Sequence, residues 1–449
     1  MPTVMPTQTQ FPGPISAQML DELSAYVIAT PYPFVLDLEK CDGMWLETVD
    51  GQRLFDWAGY YGSKLIGHNH PGLYEPSYFK RLVLAANNKV ANPDFLTKEC
   101  LAYYRMLHRL GPEIMRAKGS MEVYAVNSGA EAVENMMKYL VAKFNQKKIA
   151  QGKLASHRKF LYFDKAFHGR TVFALGVTQT TDPVATRDFH GLTSTGNIKL
   201  PFPSYASEDT YAENLRNALR ALEQVESVLS QMSDEIVGII VEPIQGAGGH
   251  RVAVKEFFQG LSELAEKYYV YLAFDEVQTG LGATGKMWAI DHFDLPHAPM
   301  VIAAGKKFGC GVVYMQEPLE DVGVLDSTWG GTLADMVRVV REVELVEEEG
   351  LIQKAADNGE ALSMGLHALV EKYRPMTTNV RGLGLYQGFS LDTPERKADL
   401  IRVARDEFGL LLLGAGSRTI RTRPNLSVTG AEIAEFIGLL DGALRMIKG

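Results

Sequence analysis

Cysteine is scarce: Cys41, Cys100 and Cys310 are the whole set in 449 residues, and they lie far apart. Neither a disulfide framework nor a cysteine-rich zinc site can be built from them, which fits a reducing, cytoplasmic location. Long apolar runs are missing too. Stretches such as residues 410–413 are far too short to span a bilayer, so no membrane partner is expected. The amino terminus, MPTVMPTQTQFPGP, has no basic start and no apolar stretch of signal-peptide length, and it reads as a disordered tail. Excess positive charge is also absent: 45 Lys plus Arg stand against 54 Asp plus Glu, a formal net charge of −9. That balance argues against nucleic acid as a partner. No internal repeat or low-complexity tract stands out.

What remains is an ordinary globular composition, 46% hydrophobic and 22% charged, in a chain long enough for two or three domains at roughly 100 to 200 residues each. Residues 44–48 and 53–57 flank Asp50-Gly51, a hairpin signal. Short apolar runs at 123–126, 160–163, 236–241, 269–274, 300–304 and 312–315 lie among helical segments, the pattern of a largely parallel sheet covered on both faces. Ala130, Val133, Met137, Leu140, Val141 and Phe144 recur at helical spacing, and a further helix is expected over 254–268. After Thr332 come two long helical stretches, a glycine-rich segment with strand character at 381–390, and a last helix announced by Thr429 and Glu432 as a capping box. The expected organisation is α/β: a large domain at 76–332, a small α+β domain at 333–449, and an N-terminal segment, 1–75, packing with the small one.

Two glycine motifs invite a nucleotide reading. Gly280-Leu-Gly282-Ala-Thr-Gly285 has the letters of a dinucleotide fingerprint, and Gly285-Lys286 nearly completes a P-loop. A P-loop needs Ser or Thr after its lysine, where this chain has Met287; a dinucleotide site needs its glycines at the strand-to-helix turn, where Asp275 to Thr279 intervene. A glycine-rich surface loop is the plainer expectation.

More informative is an acid at the end of one buried strand and a lysine at the end of the next. The run at 269–274 leads into Asp275, and the run at 300–304 leads into Gly305-Lys306. Ligands of open α/β sheets sit at the carboxyl ends of the strands, so both side chains would share one crevice. A buried lysine can have a lowered pKa and form a Schiff base, and a buried carboxylate needs a cationic partner. Pyridoxal phosphate offers an aldehyde to the first and a pyridinium nitrogen to the second. Its phosphate would need a cradle, and Asn127-Ser128-Gly129-Ala130 stands where a strand meets a helix amino terminus, an anion site. Taken one at a time each feature has an ordinary reading, as a helix cap, a solvated charge or a mere helix start.

Their order and combination resemble the class III, or omega, aminotransferases of PLP fold type I. The resembling pieces are NSGAEAVE at 127–134, FHGRT at 167–171, EPIQGAGG at 242–249, FDEVQTG at 274–280, GK at 305–306, STWGG at 327–331 and RTRP at 421–424. They occur in family order over nearly the whole chain, and among members the pattern is most similar to enzymes acting on the terminal amine of lysine. The resemblance implies pyridoxal 5'-phosphate as cofactor and a homodimer with shared active sites. It implies Lys306 as the Schiff-base lysine and Asp275 as the pyridinium partner. Ser128, Gly129 and Ala130 would hold the phosphate, Phe167 would stack on the ring, and Val277 would back its other face. The Gln278 amide would lie near the ring hydroxyl, with Glu242 one layer behind. Ser327 and Thr328 would reach the phosphate of the other subunit.

The resemblance also assigns two arginines, suited to bidentate grip of carboxylates. Arg170 would hold the far carboxylate of a long amino donor, and Arg421 would hold the 2-oxoglutarate 1-carboxylate, with Tyr60 and Tyr61 roofing the pocket. The implied reaction is ping-pong transfer of a terminal amino group from an amino acid such as lysine to a 2-oxoacid. Ornithine, 4-aminobutyrate, a β-amino acid or a diamine are the alternative donors, pyruvate is the alternative acceptor, and a racemase or decarboxylase of the same fold is a further alternative. In one place the chain departs from the lysine and ornithine enzymes: Ala247 stands where their glutamate can mask the second arginine.

Overall fold

The computed structural model describes residues 10–89, 91–153, 157–179, 196–321 and 323–448. Of the stretch read as a disordered tail, residues 1–9 lie outside these. Residues 10–14 do not behave as a tail: Gln52 Nε2 donates to the Gln10 carbonyl at 2.6 Å, and the Phe11 ring meets Phe34 edge-on at 6.1 Å. An aromatic ring and a nearby carbonyl acceptor suffice to dock a short segment that carries no periodic pattern.

The Asp50-Gly51 signal marks a hairpin between β1 (Trp45–Glu47) and β2 (Arg53–Asp56), with Gly51 at φ +78°, a conformation that favours glycine. Seven further strands build the central sheet: β3 (Glu122–Val126), β4 (Lys159–Phe163), β5 (Ile198–Leu200), β6 (Ile236–Val241), β7 (Tyr271–Asp275), β8 (Val301–Ala304) and β9 (Gly311–Met315). Their order is β3-β9-β8-β7-β6-β4-β5, and β9 alone runs against its neighbours. The apolar run at 269–274 enters the sheet two residues late, because Tyr269 takes a left-handed φ of +55° at the turn from the preceding helix. β6 and β8 are buried along their full lengths, as expected of strands with helices on both faces.

One covering helix, Gly129–Ala150, buries Ala132, Val133, Met136, Met137, Leu140 and Phe144, so its apolar stripe lies slightly around from the one the spacing suggested. The Lys255–Lys267 helix packs Phe257, Phe258 and Leu261 into the core on the way to β7.

Beyond Thr332 the helices Leu333–Glu348 and Leu351–Lys372 lead to a second sheet of β10 (Thr377–Leu383), β11 (Tyr386–Leu391), β13 (Leu413–Ala415) and β14 (Thr419–Arg421), ordered β10-β11-β14-β13 and antiparallel throughout. The intervening β12 (Leu410–Leu411) leaves that sheet and pairs in parallel with β2, Leu410 opposite Phe55. A strand from each end of the chain is thereby joined. The final helix, Gly430–Lys448, opens with the Thr429 and Glu432 pair bonded in both directions.

The glycine-rich stretch from Gly280 is not a surface loop: Gly280 through Thr284 are buried. A Cβ on Gly282 (φ +96°) would lie 2.9 Å from Ile352 Cγ1, and one on Gly285 (φ +85°) 2.9 Å from Ala356 Cα. These glycines let the Leu351–Lys372 helix approach the large sheet, which is why they resemble a nucleotide loop in letters alone.

Candidate active site

Five strand ends of the central sheet converge on one crevice. β3 delivers Gly129 and Ala130, with Ser128 just behind them, β4 leads to Phe167 and His168, β6 ends at Glu242, β7 at Asp275 and β8 at Lys306. Together with Arg421, from the end of β14, all of these but Ser128 border a cavity of about 490 Å³.

The acids at its floor are held by neighbours. Asp275 Oδ2 lies 2.8 Å from His168 Nδ1, and its Oδ1 accepts from the Val277 N–H at 3.0 Å. Burial opposes protonation of His168, but the hydrogen bond and charge of Asp275, helped by Glu242, outweigh it and raise the imidazole pKa. Asp275 and His168 therefore form a buried hydrogen-bonded pair, and the carboxylate favours protonation of the imidazole. Glu242 accepts from the Phe167 N–H at 2.9 Å and the Gly246 N–H at 3.3 Å. Burial pushes its pKa up to about 7, with Asp275 adding to the shift and His168 opposing it. His168 was not singled out in the sequence, although it sits inside the FHGRT segment; its signal was its place between two residues that were.

Lys306 follows β8 at a left-handed φ of +51°. Burial, followed by the positive charges of Lys307, Arg421 and Arg423, pulls its ammonium pKa down to about 8, against a weaker pull upward from Asp275. Far more of this amine is neutral near physiological pH than of an ordinary lysine, and that neutral fraction is a nucleophile and a proton acceptor. Lys307 is not a solvated charge. It is buried and donates to the Gln278 carbonyl at 2.7 Å and Tyr386 Oη at 3.0 Å, fastening the β7 loop to the small sheet.

The opposite wall carries cations. Arg421 is 7% exposed, its Nε is buried without a hydrogen-bond partner, and its Nη1 reaches only the Gln278 Oε1 at 3.5 Å. Burial draws its pKa down to about 10. Among the described residues no carboxylate forms a salt bridge with it. Arg423, fully buried beside it, was not among the residues expected here.

The helix start at Gly129 is crowded: a Cβ there would come within 2.6 Å of Val277 Cγ1, so the helix amino terminus and the β7 loop meet as closely as backbone allows. Ser128 caps the helix through the Glu131 N–H at 3.2 Å, and Gly129 and Ala130, at whose position the N–H groups have no partner within a helix, both border the cavity. Phe167, Val277, Gln278 and Ala247 border it too, and Arg170 stands exposed at its mouth.

One expected residue of the pocket roof falls elsewhere. Tyr61 borders the cavity but Tyr60 does not; its ring turns edge-on to His68 at 5.3 Å. The cause is the backbone, since Gly59, Tyr60, Tyr61 and Gly62 all have positive φ and the two tyrosines diverge. Ser327 and Thr328 are outside the cavity of their own chain: Ser327 Oγ accepts from Asn127 Nδ2 at 3.2 Å, and Thr328 is exposed. No helix among the described residues is long and apolar enough to cross a membrane.

Comparison with known proteins places this geometry. Residues 27–444 match the family model for aminotransferase class-III. The chain is 32% identical to the L-lysine-epsilon aminotransferase of Amycolatopsis lactamdurans, over 98% of each chain, and 30% identical to the acetylornithine aminotransferase of Gloeobacter violaceus, over 93% of this chain and 95% of that one. A solved structure described as lysine aminotransferase from M. tuberculosis in the internal aldimine form superposes with a TM-score of 0.89 at 30% identity, covering 96% of this chain and 99% of the other.

Proposed function

This chain belongs to the class-III aminotransferases, enzymes dependent on pyridoxal 5'-phosphate, and we propose that it moves the terminal amino group of a long amino acid, lysine foremost, to a 2-oxoacid such as 2-oxoglutarate. Its similarity to lysine-epsilon aminotransferases over the full chain supports that donor. Ornithine, 4-aminobutyrate and other omega-amino compounds stand behind it. The observation that carries the reading is a buried arginine with no carboxylate partner among the described residues, Arg421, in the same cavity as the depressed lysine Lys306. A cation left unmatched inside a protein is costly, and a substrate carboxylate would relieve it.

The residues fit the cofactor. The tight contact of Gly129 with Val277 and the helix amino terminus behind it make a cradle of backbone N–H groups for a phosphate. Asp275, oriented by His168, would hold a ring N–H⁺, and Phe167 and Val277 would enclose the ring, with Glu242 steadying Phe167 through its N–H. When bound, pyridoxal phosphate supplies an aldehyde for the amino group and a ring that draws electrons from the carbon losing its proton. Lys306, its ammonium weakened by burial, takes that proton at Nζ and returns it one step later. Arg170 orients the distal carboxylate of the donor, Arg421 the 1-carboxylate of the acceptor, and Tyr61 narrows the entrance.

The reading includes a cytoplasmic homodimer in which Thr328, exposed and off its own cavity, reaches the partner's phosphate while Ser327 anchors that segment to Asn127. A panel of donors and acceptors, followed by the absorption change of the cofactor between its aldehyde and amine forms, tests the assignment. Lysine should convert the first form to the second and 2-oxoglutarate should restore it. Conversion only by 2-amino acids would reject the terminal-amine reading.

A further inference from the structure

Arg423 is fully buried, and among the described residues its hydrogen-bond partners are an amide oxygen, a backbone carbonyl and an imidazole, with no carboxylate. Nη2 donates to Gln278 Oε1 at 2.8 Å and lies 3.0 Å from His250 Nδ1, Nε donates to the same Gln278 oxygen at 3.2 Å, and Nη1 donates to the Thr422 carbonyl at 2.6 Å. The guanidinium also stands over the Tyr386 ring, 4.0 Å from its centre. His250 is neutral, since burial and the charges of Arg423, Arg381 and Arg421 hold its pKa well below the usual range. Its Nδ1 can therefore accept from Arg423 while Nε2–H donates to the Tyr386 carbonyl at 3.2 Å.

Three N–H groups, two from Arg423 and one from Arg421, thus converge on one amide oxygen. That convergence fixes which end of the Gln278 amide is oxygen, and leaves its NH₂ as the donor on offer to the cavity. Two like charges are brought together with only an amide dipole between them, and both guanidinium pKa values fall as a result of burial, Arg423 to about 9 with Arg421 adding to the shift. An ammonium or an apolar side chain at 423 could not grip the oxygen through two N–H groups.

We infer that Arg423 is a positioning residue for the acceptor: it holds Gln278 Oε1 against Arg421 as a neutral, displaceable partner, and adds its own charge to the attraction felt by an incoming 2-oxoacid carboxylate. Where an acidic side chain would have to be pulled off Arg421 before a carboxylate could bind, an amide oxygen at 3.5 Å yields to it readily. Ala247, which borders the same cavity, offers no competing charge.

The inference rests on the acceptor reading of Arg421, and the wild-type holoenzyme separates the two. If wild type binds neither 2-oxoglutarate nor glutarate, a dicarboxylate without the reacting carbonyl, the acceptor reading itself fails. Given binding, glutarate is titrated calorimetrically into holoenzyme carrying Arg423→Gln, and the two half-reactions are followed separately. The dissociation constant should rise about tenfold, as for loss of a charge-assisted contact. The Michaelis constant for the oxoacid should rise alike, and the lysine half-reaction should change less than about threefold. An unchanged glutarate affinity, or an equal loss in both half-reactions, would overturn the inference. Should Arg423→Gln fail to fold, Gln278→Glu decides instead. A carboxylate between the two guanidiniums should raise the glutarate dissociation constant at least as much, and an unchanged value would mean that Gln278 does not partner Arg421.

Discussion

At the floor of the cavity, Asp275 faces the His168 imidazole and a backbone N–H, and Glu242 accepts from two backbone N–H groups. On the opposite wall, Arg421 and Arg423 share one amide oxygen and, among the described residues, no carboxylate. The first region is electrically complete without substrate and suits a group that stays; the second is incomplete and suits one that comes and goes. Buried charge therefore separates the cofactor end from the substrate end before any ligand is considered.

The contrast is broken most completely at Lys306. Lys306→Ala should abolish turnover while leaving a folded protein, because Lys307 is committed to Gln278 and Tyr386 and cannot substitute; steady-state assay beside circular dichroism reads both, and a normal rate would remove Lys306 from the chemistry. Next in size, Asp275→Asn takes the charge from the completed end. The His168 pKa should fall back, and the amino-transfer rate should drop by about a hundredfold or more, the scale of a lost acid–base contribution. Rate measurement together with imidazole titration by NMR checks this, and equal activity of the two proteins would exclude the pair.

A smaller effect sharpens the open end. Ala247→Glu would give Arg421 the countercharge it lacks, weakening 2-oxoglutarate by about tenfold, or about 1.4 kcal/mol, while sparing the lysine half-reaction. Single-turnover spectroscopy of each half-reaction would show it, and a uniform response would mean that residue 247 does not face Arg421. The last expected effect, on stability and not on turnover, is a pH dependence of the cofactor-free protein. With Lys306 at about 8 when folded against 10.5 when unfolded, the unfolded chain binds more protons between those values. Stability should then rise with pH from about 8 toward 10.5, and the penalty should be fully present below 8. Melting temperature against pH for wild type and Lys306→Met measures it; the variant should lose that rise.

Much of the fold was readable in the chain. The buried strands announced themselves as short apolar runs, and Thr429 with Glu432 marked the last helix. Two helices that escaped notice had signals of the same kind: Thr210 and Glu213 box the start of Tyr211–Met232, and Thr393-Pro394 opens Pro394–Phe408, which closes on left-handed Gly409. The buried Gly280–Thr284 stretch had none, because what forbids a side chain at Gly282 is Ile352, a residue of a distant helix.

By itself the sequence determined which residue types end which strands: the lysine after β8, the acid after β7 and the small residues after β3, because strand periodicity and turn chemistry are local. Tertiary structure alone decided how those ends are wired. His168 meets Asp275 across 107 positions, and Arg423 meets Gln278 across 145. Tyr60 is turned away while Tyr61 faces in, and Lys307 becomes a buried clamp rather than a surface charge. These outcomes depend on which strands are neighbours and how closely the small sheet approaches the large one. Burial sets the electrostatics there, and no local pattern of residues encodes the depth at which a charge will lie.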